Sequence, residues 1–451
     1  VRMAVAKARL LEPLQNRFVP VEHGALVVGG GMTGMTAALE LAEQGFVAHL
    51  VERSAELGGN MRWVRSVLEE GVDPQRELAA VIERVRAHPN VRLYLSSTLA
   101  SVEGSIGNFR SVVRGPDGER TFRHGTLIVA TGAAAHVPRE YGYGEDPAVL
   151  TQLELEQALA GAAATDGRGR PGVDALDSVV MIQCVGSREP ERPYCSRICC
   201  SVAIKNALRL KERRPETQVY VLYRDVRTYG LLEAYYRKAR DAGVAFIRYD
   251  PAAKPRVARE DGRLVVRVEE RVLGRTLALP ADAVVLSAGI VPEPTGAELA
   301  KLLKVPLTQD RFFLEAHMKL RPVDFATDGV FLCGLAHSPG TVRESVAQAC
   351  AAASRAATIL AKERIELDAI VSQVVDENCD GCGYCVDPCP FHALELIEYM
   401  RGGEIKKTVD RDLALCKGCG VCQATCPKGG IVVNNFKLSQ LVAMVHAALE
   451  A

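Results

Sequence analysis

The stretch ALVVGGGMTG, residues 25–34, decides the fold of the first half of this chain. Residues 25–28 are apolar and predict a short strand, the glycines predict a tight turn, and residues 33–44 predict an apolar helix. A second apolar strand at residues 48–51 completes a βαβ unit. The pattern G-x-G-x-x-G between a strand and a helix is a dinucleotide-binding fingerprint, because its glycines let the backbone approach a pyrophosphate at the start of the helix.

Length and composition exclude several classes of protein. The 451 residues are too many for one ordinary core, and they predict two or three domains of about 100–200 residues each. Lysine plus arginine and aspartate plus glutamate both number 55, so no overall field attracts the chain to nucleic acid or to anionic lipid. With 48% hydrophobic and 24% charged residues, the sequence predicts a globular chain without disordered segments.

The sequence predicts no membrane span and no secretion signal. Its longest uncharged apolar run, residues 25–39, contains four glycines, and it is shorter than the roughly 20 residues that cross a bilayer. The N-terminus has no apolar core followed by a cleavage site; residues 2–14 predict a helix, and Val1 suggests a start inside a longer gene product. We therefore expect the protein in the cytoplasm.

Further residues complete a predicted flavin site. Glu52 lies at the end of the second strand, where its carboxylate can accept hydrogen bonds from a ribose. Arg53 and the pair Gly58-Gly59 follow it, and Thr131-Gly132 follows a later apolar strand. This set resembles the FAD domain of the two-dinucleotide-binding-domain flavoprotein reductases.

That resemblance implies how the chain would close around the flavin. Those reductases usually have Gly-Asp after a late strand, whereas this chain has Cys333-Gly334-Leu335 and lacks the acid. A helix that begins near Thr341 should point its N-terminus at the flavin and stabilise negative charge on the reduced ring. The predicted FAD contacts are Gly29, Gly31, Met32, Thr33, Gly34, Glu52, Arg53, Gly58, Gly59, Asn60, Leu99, Thr131, Gly132, Gly334, Thr341 and Val342.

A cysteine motif is duplicated near the end of the chain. The run C-x2-C-x2-C-x3-C-P begins at Cys379 and recurs from Cys416, and the two copies contain eight of the fourteen cysteines. Each run is the bacterial ferredoxin signature, in which three cysteines bind one [4Fe–4S] cluster and the fourth binds the other cluster. Zinc and disulfides do not explain the Cys-Pro repeat. The predicted ligand sets are Cys379, Cys382, Cys385 and Cys426 for one cluster, and Cys416, Cys419, Cys422 and Cys389 for the other.

A second α/β pattern begins at residue 178, but its first turn is rich in cysteine rather than glycine. NAD(P)H-using flavoprotein reductases have a second glycine fingerprint there, so the sequence CVGSR at residues 184–188 disfavours nicotinamide binding. Four cysteines in this region could ligate a third [4Fe–4S] cluster, while a redox disulfide and plain buried thiols stay open. Cys333 and Cys350 are predicted to be inert buried thiols. The third predicted set is Cys184, Cys195, Cys199 and Cys200.

The order of strands and helices predicts a discontinuous architecture. The predicted fold class is α/β, a two-dinucleotide-binding-domain, thioredoxin-reductase-like flavoprotein with a C-terminal α+β 2[4Fe–4S] bacterial ferredoxin domain. We expect the apolar strand at residues 283–287 to lead back to the first domain, and the glycine- and alanine-rich residues 158–172 to form a surface connection. The predicted domains are an N-terminal helical segment (1–23), an FAD-binding domain (24–150 and 283–364), a second nucleotide-binding-like domain (151–282), a ferredoxin domain (365–436) and a C-terminal helix (437–451).

Together these motifs resemble the A subunit of heterodisulfide reductase and its relatives, over almost the whole chain. The resemblance rests on MAVAKA at residues 3–8, QCVGSR at 183–188, PYCSRICC at 193–200, VAQ at 346–348 and the tandem ferredoxin motif. It implies an electron-transfer subunit with no catalytic acid or base of its own, which carries FAD and three clusters and, in the family, supports flavin-based electron bifurcation. Family members often carry a cysteine-bearing insertion that residues 59–91 lack, so we expect a shortened or variant form.

The same resemblance implies partners. We expect other subunits of a heterodisulfide-reductase-like complex, a ferredoxin, hydrogenase or dehydrogenase as electron donor, and homodimerisation within the complex. A rival interpretation is an NAD(P)H-dependent flavin oxidoreductase with an appended ferredoxin, like the small subunits of glutamate synthases. A third is a non-enzymatic cluster scaffold, which leaves the FAD site unexplained. The C-terminal helix, apolar at helical spacing, either packs on its own chain or docks a partner.

Overall fold

The structure is a computed structural model of the chain, and it describes residues 1–69, 71–161 and 172–449. The α-helices of these residues are α1 (Arg2–Ala8), α2 (Met32–Glu43), α3 (Pro74–Ala87), α4 (Gln152–Leu159), α5 (Cys199–Arg213), α6 (Glu233–Asp241), α7 (Gly296–Leu303), α8 (Val342–Leu360), α9 (Val421–Thr425) and α10 (Leu438–Leu449). Their strands are β1 (Arg17–Pro20), β2 (Gly24–Val28), β3 (Val47–Val51), β4 (Val91–Tyr94), β5 (Thr98–Ser105), β6 (Asn108–Gly115), β7 (Gly118–His124), β8 (Thr126–Val129), β9 (Ala133–Ala135), β10 (Val149–Thr151), β11 (Ser178–Val185), β12 (Gln218–Tyr223), β13 (Ala245–Arg248), β14 (Arg256–Glu260), β15 (Arg263–Glu270), β16 (Arg275–Ala281), β17 (Ala283–Ala288), β18 (Ile290–Pro292), β19 (Val330–Leu332), β20 (Arg364–Leu367), β21 (Ser372–Val374), β22 (Leu394–Arg401), β23 (Glu404–Arg411) and β24 (Ile431–Val433). Most of the connection predicted at residues 158–172 lies outside the described residues, which omit 162–171.

The first sheet is built around the strand that precedes the glycine turn. Its order is β19-β8-β2-β3-β4, and all four pairings are parallel. Helix α2 packs against α8 through small side chains that are almost inaccessible, which allows the two helices to approach closely. Those side chains are Ala37, Ala38 and Ala42 of α2, and Ala349, Ala352, Ala353 and Ala356 of α8.

A second parallel sheet has the order β10-β17-β11-β12-β13, with helices α4, α5 and α6 packed beside it. It corrects the predicted domain boundary, because β17 lies between β10 and β11 instead of leading back to the first domain. An apolar run pairs equally well with either sheet, so its sequence does not reveal its neighbours. The return begins at β18, which pairs antiparallel with β9. Each half also carries a three-stranded antiparallel sheet, β5-β6-β7 and β14-β15-β16.

The last part of the chain folds as a small α+β unit. Strand β21 pairs antiparallel with β24, so the two ends of the cysteine repeat meet, and β22 and β23 form a hairpin between the two cysteine runs. Two architectures therefore share one chain, a two-sheet α/β body and a cysteine-rich α+β unit, as the sequence predicts.

The N-terminal segment joins the two ends of the chain. Helix α1 ends at Ala8 instead of residue 14, because Pro13 would clash with the carbonyl of Arg9 in a continued helix. The segment then contacts the C-terminal region: the Glu12 N–H donates to the Asn435 side chain at 2.9 Å, and the Gln440 amide donates to the Leu10 carbonyl at 2.7 Å. Helix α10 thus packs on its own chain against α1. In the part of the chain that is described, no helix combines the length and apolarity needed to cross a membrane.

Candidate functional site

The glycine turn of the first sheet forms a cradle whose shape depends on glycine having no side chain. A Cβ on Gly34 would lie 1.8 Å from the Gly29 carbonyl oxygen, and one on Gly30 would lie 2.6 Å from Leu57. Gly29 has a φ of +114°, which favours glycine. At Gly31, by contrast, the nearest atom to an added Cβ is the Gly59 Cα at 4.0 Å, so this side of the turn is open beside the start of α2.

The carboxylate of Glu52 holds the cradle together. One oxygen accepts the Gly30 N–H at 2.6 Å and the other accepts the Ser54 N–H at 2.8 Å. A carboxylate has about four acceptor positions, so Glu52 retains capacity for a ribose hydroxyl. Arg53, also predicted to contact FAD, forms two hydrogen bonds with Glu293, at 2.7 and 3.1 Å. Its side chain therefore ties the end of β3 to the segment after β18.

The other predicted contacts border the same cradle from β8 and from the turn after β3. The Gly58 N–H donates to the Gly30 carbonyl at 2.8 Å, and the Asn60 amide donates to the Ala133 carbonyl at 2.9 Å. Among the described residues, the buried Thr131 hydroxyl has no hydrogen-bond partner. Open space faces Gly132, whose φ is +76°. An unpartnered buried hydroxyl beside an open glycine cradle fits a dinucleotide that supplies the missing partner. Leu99, farther along on β5, is half-buried against the apolar core.

Helix α8 also begins at this site. Thr341 is its N-cap and forms a capping box with Glu344, and Val342 is its first residue. Met32 and Thr33 occupy the matching first turn of α2. Both helix starts therefore present positive dipole ends, which stabilise negative charge.

Where the reductases have an acid after the late strand, this chain has hydrogen bonds that the sequence did not reveal. The Gly334 N–H donates to Gln348 at 2.8 Å. The Gln348 amide in turn lies 3.3 Å from His337 Nδ1, and His337 Nε2 lies 3.0 Å from Glu315. A Cβ on Gly334 would lie 2.6 Å from the Thr33 hydroxyl, so this turn abuts the start of α2. Of these residues, the sequence analysis had singled out only Gly334 and Gln348, the latter as the last residue of the VAQ motif.

The structure brings together the two predicted ligand sets of the ferredoxin repeat, each in its own cavity. One cavity is lined by Cys379, Cys382, Cys385 and Cys426, and the other by Cys389, Cys416, Cys419 and Cys422. In each set the fourth cysteine comes from the other run. Backbone N–H groups donate to sulfurs of both sets, from Gly430 to Cys426 at 3.2 Å, from Ser372 to Cys416 at 3.3 Å and from Ala393 to Cys389 at 3.4 Å.

Two glycines at equivalent places in the repeat allow the loops to form. Gly381 and Gly418 have φ values of +69° and +60°. An added Cβ would lie 2.3 Å from the Lys407 Cβ in the first case and 2.3 Å from the Ile370 carbonyl oxygen in the second. The duplication therefore preserves backbone geometry as well as cysteine spacing.

The cysteines of the second sheet also share a cavity. It is lined by Cys184, Cys195, Cys199 and Cys200, and its volume of about 290 Å³, including space open to solvent, is close to the 370 and 320 Å³ of the two ferredoxin cavities. Burial raises the pKa of the Cys184, Cys199 and Cys200 thiols, and the neighbouring sulfurs raise it further. A positively charged core that binds thiolates would offset this cost at Cys184, Cys199 and Cys200.

The backbone around this cavity has an uncommon conformation. Cys184, Arg188 and Arg197 all have positive φ, between 59° and 64°, although none is glycine. Such strain concentrates at functional sites. Cys199 and Cys200 are the first two residues of α5, a 15-residue helix whose N-terminus favours thiolates. Although they are adjacent in the chain, both line the cavity at this helix start.

An arginine connects the third cavity to the flavin cradle. Arg197 donates to the Pro339 carbonyl at 3.1 Å and to the Tyr229 hydroxyl at 2.8 Å, and it pairs with Glu344 of the α8 capping box. The neighbouring Tyr194 donates to the Ile290 carbonyl at 2.9 Å. The cysteine loop thus packs directly on the element that borders the cradle.

None of these sets is arranged for a single metal ion. Across the described residues, no group of three or more Cys, His, Asp or Glu side chains is close enough to hold one ion. A cubane takes its thiolates at its corners, so the ligand sulfurs stand farther apart than around one ion. Of the remaining cysteines, Cys333 is buried and Cys350 is half-buried.

The fold and these sites define a flavoprotein oxidoreductase with an attached ferredoxin domain. Residues 24–166 match the family described as pyridine nucleotide-disulphide oxidoreductase, which indicates FAD. Residues 378–430 match the 4Fe-4S dicluster domain, which indicates [4Fe–4S] clusters. Thioredoxin reductases from T. acidophilum and Lactococcus lactis share the fold, with TM-scores of 0.50 and 0.51 and identities of 16% and 17%. They cover 74% and 75% of this chain, which covers 97% and 99% of theirs.

More similar relatives give the family. The chain is 36% identical to the A 2 iron-sulfur subunit of CoB–CoM heterodisulfide reductase from Methanopyrus kandleri, over 88% of this chain and 74% of the relative. It is 33% identical to the corresponding iron-sulfur protein of Methanocaldococcus jannaschii, over 99% of this chain and 80% of the relative. The chain therefore belongs to the family of heterodisulfide reductase A subunits, and it is an oxidoreductase.

Proposed function

We propose that this chain is the FAD and iron–sulfur electron-transfer subunit of a heterodisulfide-reductase-like complex. It would pass electrons between a ferredoxin, hydrogenase or dehydrogenase and a disulfide-reducing or other partner subunit. The observation that carries the proposal is the continuity of its sites: Arg197, inside the third cysteine set, contacts the α8 capping box beside the flavin cradle. When bound, FAD exchanges electron pairs and the clusters exchange single electrons.

The residues of the first sheet would hold FAD in this scheme. The open faces of Gly31 and Gly132 leave room for the dinucleotide, and the Glu52 carboxylate would accept a hydrogen bond from a ribose hydroxyl. The start of α8 supplies a positive dipole end. Three further residues remain predicted FAD contacts. Arg53 and Asn60 fix the walls of the cradle through their hydrogen bonds, and Leu99 packs against the hydrophobic core.

We also propose a third [4Fe–4S] cluster at Cys184, Cys195, Cys199 and Cys200. Three features support it: the cavity size, the strained backbone, and the placement of two cysteines at a helix N-terminus. All four are free cysteines. The Arg197 backbone N–H donates to the sulfur of Cys195 at 3.3 Å, an arrangement that stabilises a cluster thiolate.

Anaerobic iron and sulfide analysis tests the cluster number. The wild type should contain about twelve irons, four for each cluster. Cys195→Ala should lower iron to about eight and leave FAD and the ferredoxin clusters in place, because the ligand sets are separate. Cys350→Ala, outside every set, is the matched control and should keep twelve. A wild type with eight irons would refute the third cluster and leave a disulfide or buried thiols.

The rival function, direct oxidation of NAD(P)H, has a separate test. The turn after β11 contains Gly186 and otherwise offers no glycine cradle for a second pyrophosphate. We expect NADH and NADPH to leave the flavin absorbance of the purified chain unchanged in stopped-flow experiments, while dithionite or reduced ferredoxin bleaches it. Rapid bleaching by either nicotinamide would favour the rival.

The partners and the division of electrons belong to the same proposal. Relatives are named as subunits of complexes, among them the A subunit of the H2:CoB–CoM heterodisulfide,ferredoxin reductase of Methanothermobacter marburgensis, 35% identical over 88% of this chain and 73% of the relative. We propose that this chain likewise joins other subunits in the cytoplasm, where thiols stay reduced, dimerises within the complex and supports electron bifurcation. Anaerobic purification of the native complex, followed by identification of its subunits, would name the donor and acceptor.

A further inference from the structure

Around the third cysteine cavity, five cations share two carboxylates. Asp225 pairs with Arg188 at 2.7 Å, Arg227 at 3.5 Å and Arg248 at 3.9 Å. Glu189 pairs with Lys254 at 2.8 Å and with the buried Arg224. In the described structure these five cations and two carboxylates together carry an excess of three positive charges. We call these five basic residues the cation shell.

Two members of the cation shell border the cysteine sulfurs. Arg188 and Arg227 line the cavity together with Asp225. Asp225 holds the Arg188 guanidinium at 2.7 Å. The positive charge of the shell therefore lies at the wall of the cysteine cavity.

The ferredoxin cavities have a different charge balance. Each is lined by one lysine that pairs with a carboxylate, Lys428 with Asp380 and Lys417 with Asp328. A cluster bound to four thiolates carries a net negative charge that grows by one when it accepts an electron. Positive charge and N–H donors near the sulfurs favour the reduced state.

We propose that the cation shell raises the reduction potential of the cluster bound by Cys184, Cys195, Cys199 and Cys200, with Arg188 as its main positioning residue. This inference rests on the proposed third cluster. The electron comes from the external reductant and stays on the cluster, and the shell compensates the added charge without changing its own protonation.

A redox titration monitored by electron paramagnetic resonance tests the proposal. The full chain is titrated anaerobically with dithionite, and the signal absent from Cys195→Ala identifies the third cluster. At a fixed potential, Arg188→Gln and Arg227→Gln should each reduce the ratio of reduced to oxidised cluster about tenfold. For one electron, this corresponds to a reduction potential lowered by about 59 mV. Arg188→Lys should restore part of the loss. Arg267→Gln, which removes a cation paired with Glu260 at 2.8 Å on β15, is the control and should leave the signal unchanged.

The outcomes separate the two proposals. A wild type with eight irons refutes the third cluster, and the inference fails with it. Twelve irons with unshifted potentials in both Arg188→Gln and Arg227→Gln overturn the inference alone. If Arg188→Gln does not fold, Arg227→Gln decides, because the Arg227 side chain is 44% exposed.

Discussion

The two parallel sheets have the same frame and differ in one loop. In each, the third of five strands leads into a helix: β2 into α2, and β11 into α5. The first loop, residues 29–31, is all glycine and brings backbone N–H groups to an open cradle. The second, residues 186–198, places cysteine beside the helix start.

The difference shows what the frame itself contributes. Both sheets present a helix N-terminus at the carboxyl end of the central strand, where positive partial charge favours an anionic group. Glycine makes that place suitable for a pyrophosphate, because the backbone can approach it closely. Cysteine makes it suitable for thiolates around a metal cluster, because the same dipole stabilises negative sulfur.

The largest expected effect comes from adding a side chain at a closely packed glycine in or next to each loop, Gly34 in the first turn of α2 or Gly186 after β11. A Cβ on Gly34 meets the Gly29 carbonyl oxygen, whereas one on Gly186 lies 2.1 Å from the His136 ring, a side chain that can turn away. Gly34→Ala should destabilise the fold by about 3 kcal/mol or more and abolish flavin binding, whereas Gly186→Ala should cost about 1–2 kcal/mol, mainly from its positive φ. Thermal unfolding and flavin content measure both.

Gly172→Ala is the control for that pair, because its added Cβ meets no atom of the described residues within 4 Å. It should leave the unfolding temperature within about 1 °C of the wild type, as an unstrained surface change does. Equal losses from Gly34→Ala and Gly186→Ala would contradict the contrast between a backbone neighbour and a side-chain neighbour.

A smaller change should empty the first site and keep the fold. Gly31 faces open space, so Gly31→Val inserts its side chain where the pyrophosphate would lie. Flavin content should fall to about a tenth or less of the wild-type value, while the iron content and the unfolding temperature of flavin-free protein stay unchanged. Full flavin in this variant would rule out the cradle as the cofactor site.

The smallest effect, counted per histidine and per pH unit, is a pH dependence in the first half of the chain. Burial lowers the pKa of His49 to about 4 and that of His124 to about 3, whereas residues 151–282 contain no histidine. Both rings stay neutral in the folded chain but protonate below about pH 6.5 when it unfolds, so stability falls as the pH drops from 6.5 towards 4.

Each histidine should cost about 1 kcal/mol per pH unit in that range, after allowance for solvent. The fluorescence of Trp63, the single tryptophan, reports the unfolding of this half. His49→Phe keeps the stacking on Phe122, whose ring centroid lies 4.1 Å away, and it should weaken the pH dependence. An identical dependence in wild type and variant would assign it to other groups.

Local sequence determined the features that depend on backbone conformation and residue spacing. The glycine fingerprint required a strand, a turn and a helix, and the structure has them at β2, residues 29–31 and α2. The duplicated cysteine runs predicted the α+β ferredoxin unit, because their spacing matches one cluster type. Helix α1 shows where this local prediction fails. A helix was predicted over residues 2–14, but it ends at Ala8, before Pro13.

Only the tertiary structure decided which distant segments meet. It placed β17 in the second sheet, because pairing depends on neighbours that an apolar run does not specify. It joined Gly334 to Gln348 and placed Arg197 on the α8 capping box. It also concentrated five cations on Asp225 and Glu189, although the chain as a whole is neutral. Long-range electrostatic and hydrogen-bond contacts depend on how the chain folds. The sequence could therefore predict the ligands of each site, whereas only the structure shows which residues surround those ligands.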